Sequence, residues 1–159
     1  MAVLRIGVLT CSDTRTEEND TSGAALRALS EERGWETAAY AIVPDDADAI
    51  SSALVRMADE DRCDVVLTTG GTGLSPRDQC PEATLAIADR EVPGIAEAIR
   101  SMSLAITRRA MLSRAVAAQR GRTLIVNLPG SEKGARESFG IVADQLEHAV
   151  EMIAGGGHG

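Results

Sequence analysis

Residues 65–78 read VVLTTGGTGLSPRD. The opening Val65-Val66-Leu67-Thr68 is a short, continuous, largely β-branched run, the pattern of a strand covered on both faces. It breaks at Thr69-Gly70-Gly71-Thr72-Gly73, where three glycines fall within four positions. Glycine admits positive φ and lets backbone approach a neighbour closely, so successive N–H groups can point into one concavity. A buried strand ending in bare backbone is how ligand sites begin in open α/β sheets, at the carboxyl ends of the strands.

Outward from this segment the same alternation recurs. Residues 3–11 read as a buried strand and residues 12–20 as a polar loop. Asp20 or Thr21 caps a helix to about residue 33, with Leu26 and Leu29 facing inward and Gly34 in the usual stop position. Residues 36–43 form a second strand. Pro44 ends it, and Asp45 or Asp46 caps a helix whose apolar positions Ala47, Ile50, Leu54 and Met57 keep a 3.6-residue period. Pro81 suits the first turn of a helix to about residue 88. Pro93-Gly94 opens another toward Met102, and further helix is expected near residues 105–112. Residues 123–128 are a strand bounded by Gly121 and Pro129-Gly130. Residues 132–153 are the last helix, striped by Phe139, Val142, Leu146, Ala149 and Ile153. Strands alternating with helices predict right-handed βαβ units. The expected fold is α/β, three layers deep, a mostly parallel sheet with helices on both faces. Residues 1–154 are expected to form a single domain, and the glycine-rich 155–159 a disordered tail.

Composition narrows the function. Trp35, Tyr40 and Phe139 are the only aromatics and the net charge is −8, so neither base stacking nor a grip on a phosphodiester backbone is expected. A small anion remains admissible, because local N–H groups outweigh distant charge. Cys11, Cys63 and Cys80 form neither a disulfide framework nor a C-x-x-C zinc pattern. The apolar run at the N-terminus is too short for a signal peptide or a membrane span, so a cytoplasmic protein with no membrane association is expected.

Four loops lie at strand ends: Ser12-Asp13, Pro44-Asp45, Thr69 to Gly73, and Asn127 to Ser131. The glycine loop carries no Gly-Lys-Ser/Thr and is not a G-x-G-x-x-G, yet its glycines and threonine hydroxyls favour phosphate over a plain turn. Asp78 alone reads as a cap or an ion-pair partner. Beside bound phosphate a carboxylate implies an intervening cation, and Mg²⁺ takes one or two carboxylates plus phosphate oxygens. Spacing leaves Asp45 divided between helix cap and site. If the sheet joins their loops, Asp45 and Asp78 face one ion. Ser113-Arg114, taken alone, is a helix surface. His148 and His158 are placed as surface residues, so Ser-His-Asp and Cys-His chemistry lack a base. Phosphoryl or nucleotidyl transfer, which needs mainly positioning and charge neutralisation, remains.

TTGGTGLSPRD followed by PEAT, together with NLPGS, VPDD, SDTR and DTSG, resembles the MoaB/Mog family of molybdenum cofactor biosynthesis over residues 5–153. That family includes bacterial molybdopterin adenylyltransferase and the G domains of gephyrin and its plant counterpart. The resemblance implies a molybdopterin-binding-like fold and Mg-ATP-dependent adenylylation of molybdopterin, with release of pyrophosphate. It implies catalytic roles for Asp45 and Asp78 through Mg²⁺, a nucleotide-phosphate loop at Gly70, Gly71, Thr72 and Gly73, and a second binding loop at Ser12 and Asp13. Ser113 corresponds to a serine near the pterin phosphate, and Pro129, Gly130 and Ser131 to the adenylate-side turn. It further implies a homotrimer and hand-over to a molybdenum insertion enzyme. The alternative is a catalytically weak molybdopterin-binding or scaffolding paralogue, or a phosphate-ligand module. Two departures stand out: Gln79-Cys80-Pro81 where the family reads Val-Thr-Pro, and Glu132 where it has proline.

Overall fold

The computed structural model describes residues 3–156. The strands are β1 (Arg5–Cys11), β2 (Glu36–Val43), β3 (Val65–Thr69), β4 (Arg90–Glu91), β5 (Ala117–Arg120) and β6 (Thr123–Leu128). They form one sheet in the order β2-β1-β3-β6-β5-β4. The first four run parallel, and β5 alone is reversed, pairing antiparallel with β6 on one side and β4 on the other. The helices are α1 (Thr21–Glu32), α2 (Ala47–Val55), α3 (Cys80–Ile87), α4 (Pro93–Ser103) and α5 (Glu132–Ile153).

The continuous apolar runs are explained by their position. Every residue of β3 and β6 is buried, and all of β1 but Arg5. On one face Ile6, Val8, Leu67 and Val126 meet Leu26 of α1 and Phe139 and Leu146 of α5. On the other, Leu9, Val66 and Ile125 meet Ile50 and Leu54 of α2 and Ala83 of α3. Parallel strands covered this way have no polar face to alternate with. The few aromatics are concentrated: Trp35 tilts against Phe139 at 6.1 Å between ring centroids. The Trp35 indole N–H donates to Glu147 at 2.9 Å, satisfying its one polar group.

Side-chain oxygens start three helices. Asp20 accepts from the Gly23 N–H at 3.0 Å, Asp46 from Ala49 at 2.9 Å and Ser131 from Gly134 at 3.1 Å. Asp20 is buried and also accepts from the Thr10 and Tyr40 hydroxyls, both at 2.6 Å. One carboxylate thus joins α1, β1 and β2 through three hydrogen bonds, with both oxygens satisfied.

Two expectations are corrected. Residues 105–112 hold no α-helix; Arg108–Leu112 is a 3-10 turn started by Thr107. Ile106, Met111 and Leu112 stay exposed, so the segment has no apolar face packed on the core to sustain a longer helix. Strands β4 and β5 were not foreseen. Gly121 at φ +54° opens the two-residue link from β5 to β6, pairing Arg120 with Thr123. Beyond α5, the Gly155 and Gly156 N–H groups donate back to Met152 and Glu151 at 2.9 and 3.0 Å. Residues 157–159 of the expected tail lie outside the described residues.

Phe139 is the large side chain joining α5 to Trp35. Phe139→Ala should cost about 3–5 kcal/mol in urea unfolding, with the slope unchanged.

Candidate functional site

The parallel strands β2, β1, β3 and β6 end side by side, so the loops after them converge. Backbone contact, not side-chain packing, joins them. Gly70 has φ +99°, and a Cβ there would lie 2.4 Å from the Cys11 carbonyl oxygen at the end of β1. Its N–H donates to the Leu128 carbonyl at 3.2 Å. A Cβ on Gly130 would sit 3.2 Å from the Gly70 Cα. The Thr69 hydroxyl donates to the Pro129 carbonyl and the Ser22 hydroxyl to the Gly130 carbonyl, each at 2.6 Å. The glycine loop and the 129–131 turn are therefore one unit.

On one side of this unit lie three carboxylates. Because Asp46 takes the helix cap, Asp45 is left free for another use. Asp13 bridges to it: one oxygen accepts from the Asp45 N–H at 2.9 Å. The same carboxylate receives the Arg77 guanidinium twice, at 2.9 and 3.0 Å. Arg77 thus pairs with Asp13 rather than with its neighbour Asp78. Asp78 Oδ2 accepts from the Ser75 N–H at 3.0 Å. A Cβ on Gly73 would lie 3.0 Å from that oxygen, and one on Gly71 would lie 3.2 Å from Asp45 Oδ1. Asp45 and Asp78 thus each abut a glycine of the loop.

Asp45 is the electrostatically anomalous member. Its Oδ1 is buried and has no hydrogen-bond partner among the described residues. Burial and the neighbouring Asp13 and Asp78 carboxylates hold its carboxyl above the usual carboxylate range, more than the backbone bond and Arg77 lower it. A buried acceptor among like charges is the environment a cation relieves. Among the described residues no three His, Cys, Asp or Glu side chains converge as a metal cage. A carboxylate pair open to further oxygens instead suits Mg²⁺, which keeps positions for phosphate and water.

On the other side of the loop opens a cavity of about 650 Å³. Thr72, Gly73, Ser113, Pro129 and Ser131 line it, with Arg100, Arg109 and Lys133 as its cations. Ile99, Ile106 and Leu112 supply apolar wall. The Ser113 hydroxyl accepts from the Ala115 N–H at 3.2 Å. The Arg100 guanidinium donates to the Ser113 and Ala115 carbonyls at 3.3 and 2.8 Å, anchoring this wall to α4.

All the residues singled out from the sequence lie around these loops, but they divide. Asp13, Asp45 and Asp78 stand on the acidic side; Ser113, Pro129 and Ser131 stand on the cavity; Thr72 and Gly73 form the partition. Ser12 is turned inward, its hydroxyl accepting from the Thr14 and Arg15 N–H groups at 3.1 and 3.0 Å, and it closes its own loop. The cavity cations Arg100, Arg109 and Lys133 were missed, and Arg114, read as a helix surface, lies in no helix and ties the site's loops together. A basic cluster in an acidic chain, Arg108-Arg109 through Arg114, was the available signal. Both departures from the family pattern have local explanations. Glu132 accepts from Arg136 one turn on at 2.9 Å, which neutralises its charge. Cys80 is buried, donates to the Thr68 hydroxyl at 3.3 Å and lies 3.9 Å from the Cys11 sulfur.

Residues 7–148 match the family described as "Probable molybdopterin binding domain". The Drosophila melanogaster molybdenum cofactor synthesis protein cinnamon is 44% identical over 96% of the chain, which spans 26% of that longer protein. The Helicobacter pylori molybdopterin adenylyltransferase is 39% identical over 98% of the chain and 90% of its own length. The crystal structure of the Thermus thermophilus molybdopterin biosynthesis enzyme MoaB is 50% identical and superposes with a TM-score of 0.89, covering 96% of this chain and 98% of that one. With sequence, fold and loop geometry in agreement along nearly its whole length, the chain belongs to the MoaB/Mog family of molybdopterin-binding proteins of molybdenum cofactor biosynthesis.

Proposed function

We propose that this protein adenylylates molybdopterin. A terminal phosphate oxygen of molybdopterin attacks the α-phosphorus of ATP, a new P–O–P bond forms, and the bond to the β-phosphate breaks to release pyrophosphate. The observation that carries the reading is the unpartnered, buried Asp45 oxygen beside the glycine loop, with a cation-lined cavity across that loop. Two anions must meet, and the site divides accordingly. The cavity offers apolar wall for a pterin, with Ser113, Arg109 and Lys133 available to its phosphate. The N–H groups of Gly70 to Gly73 and the turn at Pro129, Gly130 and Ser131 serve the nucleotide. Asp13 holds the Asp45 backbone and Arg77 in place. Mg²⁺, held by Asp45 and Asp78 with ATP phosphate oxygens, would supply charge neutralisation during transfer.

The rest of the proposal follows the family. Residues 1–154 act as one domain, assemble as a homotrimer and pass adenylylated product to a molybdenum-inserting enzyme. Cys11, Cys63 and Cys80 are all free thiols, which suits a reducing cytoplasm. Among the described residues no helix is long and apolar enough to cross a membrane. A purely scaffolding role gains no support from the departures, since Arg136 neutralises Glu132 and Cys80 is packed inside.

Purified protein given Mg-ATP and molybdopterin should release pyrophosphate, and Asp78→Ala should slow release by about 10²–10³-fold while keeping the wild-type circular dichroism. Equal turnover in the two proteins would end the proposed role of Asp78; silence from both would end the reading itself.

Asp45→Asn separates catalysis from stability. Because the native carboxyl titrates above its unfolded value, the native state takes up the proton first. Stability then declines as pH rises from the unfolded value through the native one, and the ionised acid weakens the fold above that window. With chelator present, Asp45→Asn should melt a few degrees higher at pH 7. The gain should vanish below about pH 3.9, where the unfolded chain is protonated too. Pyrophosphate release should be lost. A lower melting temperature at pH 7 would contradict the stated electrostatics.

A further inference from the structure

Arg114 is half-buried among the connections of the site but touches neither the side chains of the acidic cluster nor the cavity interior in the manner of a ligand. Its backbone N–H donates to the Thr72 carbonyl at 2.9 Å. Its Nε donates to the Gly73 carbonyl at 2.7 Å and one terminal nitrogen to the Asp78 carbonyl at 2.8 Å. The other terminal nitrogen pairs with the Glu82 carboxylate at the start of α3. One planar group therefore holds both ends of the loop 73–78, at a separation its rigid fork dictates.

Three further contacts make that separation matter. Gly73 abuts Asp78 Oδ2, so the spacing of the two ends sets where the carboxylate points. Arg114 directly follows Ser113 on the cavity wall, and that wall is fixed to α4 by Arg100. The acid that serves the nucleotide side and the hydroxyl on the pterin side are thus joined through one side chain. We propose that Arg114 is a positioning residue: it sets the orientation of Asp78 relative to the cavity by clamping the Gly73 and Asp78 carbonyls, and so aligns the two phosphates for transfer. This inference rests on the adenylylation reading and adds to it a residue that contacts no substrate.

Lysine keeps the charge but offers a single nitrogen on a flexible stem, so it cannot serve both carbonyls and Glu82 from one plane. Misalignment of reacting groups by a remote change can cost about 100-fold in rate. Loosening the residues behind a metal-holding carboxylate costs about 10–100-fold in metal affinity.

The experiment compares wild type, Arg114→Lys and Arg114→Ala. It reads kcat and KM for pyrophosphate release, Mn²⁺–ATP affinity by electron paramagnetic resonance, and the melting temperature. Arg114→Lys is expected to lose about 100-fold in kcat with KM for molybdopterin little changed. Its Mn²⁺–ATP affinity should fall by about 10-fold or more, at a near-native melting temperature. Added methylguanidinium should restore part of the kcat of Arg114→Ala. Wild-type kcat and Mn²⁺–ATP affinity in Arg114→Lys would overturn the proposal. So would a large fall in melting temperature with kcat, KM and metal affinity degraded together and no guanidinium rescue, which describes a merely structural tie. A wild type that binds Mn²⁺–ATP but releases no pyrophosphate fails the adenylylation reading instead; the metal-affinity comparison still tests the clamp.

Discussion

The architecture of the site depends on the close approach of backbone at Gly70. There β3 leaves the sheet with a left-handed residue wedged against the Cys11 carbonyl of β1, bonded to Leu128 of β6 and covered by Gly130. Any side chain at position 70 would need the space occupied by β1. The consequence is that three strand ends meet with no side-chain layer between them. Loops from β1, β3 and β6 can then share one small region, and Asp13 can reach across to the Asp45 backbone and to Arg77. Parallel strand topology creates the convergence; glycine makes it tight.

A protein of net charge −8 is an unexpected host for two polyanions, and the resolution is spatial. Cations predominate on the cavity side, where Arg100, Arg109 and Lys133 line the wall beside one acid, Glu137, while Asp13, Asp45 and Asp78 gather across the loop. The glycine loop separates the two charge fields and supplies N–H groups between them. Phosphates brought there would meet positive side chains from one direction and the carboxylates proposed to hold Mg²⁺ from the other. Net charge bears on long-range steering and solubility, whereas binding at this range follows local dipoles and neighbours.

Much of this was legible in the sequence because the strands that build the site are buried on both faces. Continuous runs such as residues 65–68 and 123–128 have few other readings, and Asp20, Gly34, Asp46 and Ser131 mark helix boundaries by local chemistry that tertiary contacts did not override. Strands β4 and β5 escaped because they are two and four residues long and owe their existence to pairing, β5 with β6 and β4 with β5, not to a pattern of their own. The Gly121-Arg122 turn was a hairpin signal, read only as a boundary. The segment 105–112 misled because its apolar residues line a cavity rather than a core, and helical spacing cannot tell the two apart. The basic cluster marks Arg114 but not its clamp: its acceptors are carbonyls some forty residues away, which carry no side-chain signature.

The adjacent pair Asp45-Asp46 shows why local rules settle a fold sooner than a site. Both residues could cap α2 by sequence, and capping needs only one. Asp46 takes it and is satisfied by a backbone N–H from its own helix. Asp45, one residue earlier, is left half buried beside Asp13 and Asp78 with an oxygen that nothing among the described residues satisfies. For folding alone this is a cost, since an unpaired buried acceptor forfeits hydration without return. Asparagine or serine would fit the turn with less repulsion. A residue that breaks the local rule beside one that keeps it is where the fold's requirements and the site's diverge. That divergence is invisible in the dipeptide, because it arises from the loops after β1 and β3, which only the parallel sheet brings alongside.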